Sequence, residues 1–528
     1  MRNKAPILIL GMAQFLMVLD TTVMNVSISE VVSDLDTSVS SVQLAITAYA
    51  LVMGSCMLIG AKLGDKWGRR TAFRIGLAVY GLGSFITAIS PNVAVLMLGW
   101  SGIEGIGAVL VVPAIASLAA ATYEGKDRAL AFGIIGGIAG AGAAAGPLIG
   151  GWVTTELSWR VVFASESVIV VGILLASVKL IPSPATDRSR IDLLGSVLSV
   201  LGLGLIVLGI LKGGEWGFLM PAGAMTINGT EITPFGFSAV PFLVGLGIGS
   251  VCLFAVWEER QKRLGRPVLL DPALLRIPQL RGGLSMQVSQ NLIIAGTFFI
   301  LPLYLQLVLG KDAFETGLKL LPISVTMMAA ATLGPKLSER YSPRLVVQVG
   351  LAVLALAILG VMSTISPELT GTGFGVSLAL FGVGVGLVTS QLGNVVMSSV
   401  PTSRSSEVGG LQGAALNLGS SLGTALIGAI LLSGLASGFH EKVTDHEALP
   451  PQVQRLAQEQ AESGIPMISI PEVEAATEEA GLPPDQVTAI SDSYGEAQIE
   501  GLKQALFFTA IFAFAGIWFA RKLPTRLT

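Results

Sequence analysis

Long apolar runs alternate along the chain with short polar connections, and the runs have the length a bilayer demands. A helix rises about 1.5 Å per residue, so roughly 20 apolar residues cross about 30 Å of hydrocarbon. At that length the pattern predicts fourteen spans. Seven lie near 6–27, 44–61, 71–90, 93–116, 131–153, 161–181 and 193–211. Seven more lie near 238–257, 283–308, 316–334, 345–364, 374–399, 407–436 and 502–520. The tenth is the least regular, because Lys319 stands in its first turn. Met1-Arg2-Asn3-Lys4 before an apolar run has the outline of a signal peptide. No small-residue cleavage site follows and Asp20 interrupts the run, so an uncleaved first span is expected.

Two stretches break this rhythm. In the loop 213–237, the alternation around Asn228-Gly229 predicts a small β-hairpin, and that turn also accounts for the Asn228-Gly229-Thr230 sequon without a sugar. Residues 437–501 are polar and acidic and hold both histidines, His440 and His446. Prolines open three pieces, at Pro451, Pro471 and Pro484, and glycines close two, at Gly464 and Gly481. This punctuation predicts short helices forming an outer cap whose acidity reads as a solvated surface. The histidines lack metal-ligand spacing, so no metal is expected.

A repeat crosses the chain. Gly60-Ala61-Lys62-Leu63-Gly64-Asp65-Lys66-Trp67-Gly68-Arg69-Arg70 follows the second span. Gly334-Pro335-Lys336-Leu337-Ser338-Glu339-Arg340-Tyr341-Ser342-Pro343-Arg344 follows the tenth with residue types in step. The repeat pairs spans 1–6 with 9–14 and leaves 7 and 8 as an insertion. The expected parts are a bundle over 1–182, an inserted pair over 183–265 and a second bundle over 266–528, with a transport site between the halves.

Composition sharpens this picture. Apolar residues make up 52% and charged residues 13% of 528 positions, far from the roughly one-quarter charged share of soluble chains. With the N-terminus inside, most of the 32 Lys/Arg fall on the cytoplasmic side, and an even span count brings the C-terminus back there. A net charge of −3 gives no footprint for nucleic acid. Cys56 and Cys252 lie in different spans and predict no disulfide. No phosphate-binding loop is present, and Gly419-Ser420-Ser421-Leu422-Gly423 lies within a span rather than on a hydrolase turn. No nucleophile–base set supports an enzyme, and no cofactor is called for. A gradient-driven carrier remains.

Ala61 to Arg70 resembles the cytoplasmic loop signature of the major facilitator superfamily, with Ala61 in place of the usual first glycine. The resemblance implies that Asp65, Gly68, Arg69 and Arg70 form a conformational loop whose acid pairs with arginine and a helix N-terminus. In the fifth span, Gly142, Gly146, Pro147, Gly150 and Gly151 resemble the superfamily's antiporter signature, which favours export over uptake. Leu19-Asp20-Thr21-Thr22-Val23-Met24-Asn25-Val26 resembles a motif of the 14-helix drug:proton antiporters, with Ser27 and Ser29 where alanine and proline are common. In the fourth span, Ser101 and Glu104 stand where the family normally has arginine and glutamine, and Glu166 replaces a polar amide in the sixth.

A usual base is thus missing and two acids are added. A buried carboxyl is costly and faces a cavity or a partner, and burial penalises its charged form. Asp20, Glu104 and Glu166 are therefore expected to line one acidic, proton-coupling cavity that favours lipophilic cations; hydrogen-bonded neutral acids in a packing role are the alternative for Glu104 and Glu166. Asn25, Gln290, Asn291 and Gln391 are candidates for the substrate cavity, although interhelical packing accounts for such amides equally well. The family resemblance implies an all-α membrane protein of fourteen helices, two six-helix bundles plus two linker helices. It implies a monomer in the cell membrane that exchanges protons for amphiphilic small molecules. An exporter of lipids, or of one natural product, is the alternative.

Overall fold

The structure is a computed structural model. It describes residues 5–123, 125–180, 192–221, 225–227, 230–338, 340–369, 371–400, 405–444, 446, 449–463 and 465–525. The chain begins with α1 (Ala5–Val26), α2 (Ile28–Asp34), α3 (Val39–Trp67), α4 (Arg69–Ala88) and the single turn α5 (Val93–Leu96). A π-helical segment, Met97–Glu104, runs into α6 (Gly105–Thr122), and α7 (Gly125–Glu156) and α8 (Trp159–Leu180) follow. Next come α9 (Leu193–Trp216), strands β1 (Met225–Ile227) and β2 (Thr230–Ile232), and α10 (Val240–Arg263). The remainder is α11 (Pro278–Leu303), α12 (Ala313–Ser338), α13 (Pro343–Thr364), α14 (Gly373–Met397), α15 (Ser405–Thr444), α16 (Pro451–Ser463), α17 (Ile470–Glu479) and α18 (Pro484–Phe519).

Thirteen helical rods among the described residues are long and apolar enough to cross a membrane. The 32-residue α7, packed between α1 and α12, takes the fifth expected position, so the order follows the fourteen expected spans. The expected hairpin is present: β1 and β2 pair antiparallel, Ile227 opposite Thr230, while its turn at Asn228-Gly229 lies outside the described residues.

Each bundle is built from close helix contacts made by glycine. Gly68, at φ +90°, breaks the chain between α3 and α4 in a conformation that a side chain would disfavour. Two seams join the bundles, α3 against α15 and α7 against α12. A methyl group at Gly54 would meet the Leu418 backbone, and one at Gly151 the backbone at Ala313 and Phe314, so both seams depend on bare glycine surface. The inserted pair α9–α10 is held by Asp192, whose carboxylate accepts from Gly195 N at 3.0 Å and Trp257 Nε1 at 2.7 Å. Helix α9 lies across α3 and α15, and α10 turns exposed Leu246, Leu253 and Val256 outward. Both cysteines are free.

The cap differs from expectation in one respect. Helices α16 and α17 occupy the first two predicted pieces, and a Ser469/Glu472 capping box starts α17. The third piece is not separate, because α18 runs 36 residues from Pro484 through the last span. Likewise α15 continues to Thr444 over 40 residues. Polar sequence stopped the hydropathy pattern here, but nothing in it breaks a helix. Lys442 on α15 bridges Glu496 and Glu500 on α18 at 2.9 and 3.0 Å, tying the two extensions together.

Candidate functional site

Asp20 on α1, Glu104 at the end of the π-helical segment and Glu166 on α8 converge inside the N-terminal bundle. Each is at most 1% exposed, and one oxygen from each lies within 4.8 Å of the others. Local sequence explains the meeting. Methyl groups at Gly83 and Gly107 would strike the backbone of Glu104 and Tyr80, so these glycines let α4 and the fourth span approach closely. The wide π turn sets Trp100 and Glu104 into the interior together.

The hydrogen bonds are distributed unevenly. Trp100 Nε1 donates to Asp20 at 2.9 and 3.1 Å, and the Trp100 ring stacks on Tyr49 at 4.8 Å. Ser84 Oγ donates to Glu166 Oε2 at 3.0 Å and the Tyr80 hydroxyl reaches the same oxygen at 3.4 Å. Glu104 is different: neither of its oxygens has a partner of hydrogen-bond geometry, and Glu166 Oε1 also lacks one. The groups acting on these carboxyls are Tyr49, Tyr80, Ser84, Trp100 and one another, with no base among them. Two carboxylates 4.8 Å apart repel by about 3.5 kcal/mol at an effective dielectric near 20. Protons shared among the three, or one cation within reach of all three, are the means this geometry offers to relieve that repulsion.

The other expected site residues fall into three places. Gly142, Gly146 and Gly150 face α1, where methyl groups would meet Phe15, Thr22 and Val23. Gly151 and the Pro147 carbonyl instead face α12, the latter against Gly317. At the loop, Arg69 Nη2 lies 3.7 Å from Asp65 and its Nη1 donates to Ser117 O, while Gly68 makes the turn and half-buried Arg70 is the second residue of α4. In the repeat of this loop, Glu339 lies outside the described residues; Ser342 caps α13 by accepting from Leu345 N.

The amides are more ordinary. Buried Gln290 donates to Thr389 Oγ1 at 2.5 Å and to Val385 O, and buried Gln391 donates to Gly334 O at 3.0 Å. Both join neighbouring helices. Half-buried Asn25 and Asn291 donate to the backbone one turn earlier, at Thr21 and Gln287.

A family model described as Major Facilitator Superfamily matches residues 10–424. The chain belongs to that superfamily. Among its relatives, the multidrug resistance protein Stp of Mycobacterium tuberculosis is 27% identical, over 98% of this chain and 92% of its own. The puromycin resistance protein of Streptomyces alboniger is 30% identical, over 83% of each. A crystal structure of a bacterial homolog of the human lysosomal transporter Spinster, inward-facing and unoccupied, shares the fold. It gives a TM-score of 0.60 at 17% identity, over 98% of this chain and 97% of that one. The chain is therefore a multi-pass membrane transport protein of the superfamily fold, with two six-helix bundles and an inserted pair.

Several residues of this superfamily member escaped the sequence reading. Trp100, Tyr49, Tyr80 and Ser84 surround the acids, yet aromatics in a span read as core. Gln306, in a second π-helical segment (Tyr304–Val308), donates to Val26 O at 2.6 Å, where α1 breaks at Ser27. Gln43 Nε2 donates to Thr424 O and Ser421 Oγ to Thr47 O across the α3–α15 seam. A glutamine in an apolar run was the available signal for Gln43, whereas Gln306 already reads from sequence as one of the uncharged hydrogen-bonding groups of the C-terminal spans, and only its bond to Val26 was hidden. Ser101, at the position of the family's arginine, donates to Ala45 O at 2.8 Å.

Proposed function

We propose that this protein is a proton-coupled antiporter exporting lipophilic cations by alternating access, with Asp20, Glu104 and Glu166 as the groups that take up and release protons. The observation that carries the reading is a closed set of three carboxyls buried without a base. Such a set favours neutralisation by protons from one side and by a cationic substrate from the other. Relatives named for multidrug resistance and for puromycin resistance support export of toxic small molecules. The bundles 1–182 and 266–528 rock about the seams, with 183–265 as the inserted pair and the Asp65/Arg69 pair bracing one end state. The excess of Lys/Arg on one side supports a cell membrane orientation with both termini cytoplasmic. Asn25, Gln290, Asn291 and Gln391 are the substrate-side amides in this reading, and the protein acts as a monomer.

The puromycin relative supports a second reading, export of one natural product rather than many drugs. Proteoliposomes with an internal pH dye test both. A panel of cationic and neutral amphiphiles should evoke proton movement in the wild type, and Asp20→Asn should remove it. Response to a single compound favours the second reading. Movement that persists in Asp20→Asn sinks the proposed role of the carboxyls.

A further inference from the structure

We infer that Asp192, Glu258 and Gln261 form an oxygen-lined site for one hard divalent metal ion, of the magnesium type, where the inserted pair joins the second bundle. The site is independent of the transported molecule and of the carboxyls in the N-terminal bundle.

Glu258 and Gln261 stand one turn apart on the same face of α10, just past its apolar run. They are buried, at 1% and 7% exposure, and neither Glu258 Oε1 nor Gln261 Oε1 has a hydrogen-bond donor. Buried acceptors without a donor are costly, so the pair calls for a positive ligand. Asp192, at the start of α9, meets Glu258 from across the inserted pair. A methyl group at Gly195 would stand 2.5 Å from Glu258 Oε1 and 2.6 Å from Asp192 Oδ2, so the two carboxyls border one small space. Their remaining bonds hold them there: Asp192 accepts from Gly195 N and Trp257 Nε1, and Glu258 Oε2 accepts from Leu270 N at 3.3 Å. The bases of this segment are engaged elsewhere or turned to the surface. Lys262 pairs with Asp271, Arg263 and Arg276 pair with Glu259, and Arg260 and Arg266 are exposed.

A proton shared by the two carboxyls would relieve their repulsion and still leave Gln261 Oε1 unpaired. A metal ion serves all three oxygens at once, and two carboxylates offset its double charge. Magnesium binds in this way, through one or two carboxylates with water completing its octahedron, and half-buried Asp192 gives that water a way in. Beside Leu270, Asp271 N donates to Glu407 on α15 at 3.1 Å, so the ion steadies the stretch of chain that ties α10 to the second bundle. Oxygen ligands spread over two helices have no histidine or cysteine spacing to mark them in the sequence.

Manganese, a stand-in for magnesium that paramagnetic resonance detects, tests the site on the full-length protein in detergent after EDTA treatment. The wild type should bind one manganese ion per chain more than Glu258→Gln or Asp192→Asn, and added magnesium should displace that ion. Glu259→Gln, which removes a neighbouring surface charge, should keep it. Magnesium should raise the melting temperature of the wild type by about 2–4 °C and leave that of Glu258→Gln where it was. If Glu258→Gln does not fold, Asp192→Asn carries the comparison, because asparagine keeps the cap on α9. The inference is overturned by equal manganese binding in the wild type and both site variants. It is also overturned by a wild-type melting temperature that follows pH and ignores magnesium, which makes the pair a shared-proton latch.

Discussion

The two bundles share a fold and a loop repeat but not an interior. In the N-terminal bundle, Asp20, Glu104 and Glu166 are buried together with three carboxylate oxygens left without partners. In the C-terminal bundle, the buried polar side chains of α11 to α15 are, among the described residues, amides and hydroxyls with no carboxylate. Gln290 and Gln391 use theirs to join helix to helix, and Thr326 donates to Ala379 O at 2.7 Å to the same end. An unsatisfied acid is a group that must change state or find a ligand, whereas a satisfied amide has already made its bond. In the proposed reading, this contrast assigns the ion chemistry to one half and the work of shape to the other.

Substitutions that erase this contrast should have the largest effects. Asp20→Asn keeps the shape and the Trp100 contact but removes a titrating group; substrate-evoked proton movement should fall by about a hundredfold or more, since a charge interaction of about 3.5 kcal/mol is worth over two decades. A pH dye in proteoliposomes reads this, and coupling that survives would place the proton path elsewhere. Ser101→Arg tests the same point from the opposite side by putting a base beside the acids. It should abolish cation export while an uncharged substrate, if one is found, loses less.

Next in size is the bond that crosses between the bundles where α1 ends. Gln306→Ala removes the 2.6 Å contact with Val26 O. At about 1–1.5 kcal/mol, its loss should shift the population toward an outward-open state five- to tenfold. Spin labels at Asp36 and Glu368, with Cys56 and Cys252 replaced by serine, would report the longer distance. An unchanged distribution removes Gln306 from the gate.

Within the C-terminal bundle, Gln290→Leu and Gln391→Leu should each lower the melting temperature by a few degrees, from about 1 kcal/mol per lost hydrogen bond. Transport should fall more than about threefold as well, and an unchanged rate would confine those amides to helix packing. The smallest effect belongs to the exposed cap. Lys442→Gln breaks pairs with Glu496 and Glu500 worth under about 1 kcal/mol and should leave both transport and melting nearly unchanged.

Much of this was legible before any coordinates. Asp20 stands out because a carboxyl inside an apolar run has few bland explanations, and Glu104 and Glu166 stand out as departures from a family pattern. The spans follow from hydropathy, and the hairpin from its Asn-Gly turn. What was hidden depends on geometry that residue type does not encode. Hydropathy cannot tell a π turn from an α turn, so the segment that aims Trp100 and Glu104 inward read as ordinary helix. The Gln306 bond needs both a second π turn and the break at Ser27. The long extensions of α15 and α18 into the cap were hidden because polarity ends the hydropathy signal without ending the helix.

The placement of α9 carries a consequence for how substrate arrives. It packs over α3 and α15, while among the described residues neither inserted helix makes an extensive contact with α7 or α12. At that second seam Trp152, Leu318 and Val325 face outward. A molecule dissolved in the lipid therefore meets a shuttered flank on one side of the protein and an unshuttered one on the other. Side entry from the bilayer would be single-doored in the proposed reading, and a lipophilic photoprobe should mark α7 and α12 and spare the α3–α15 face.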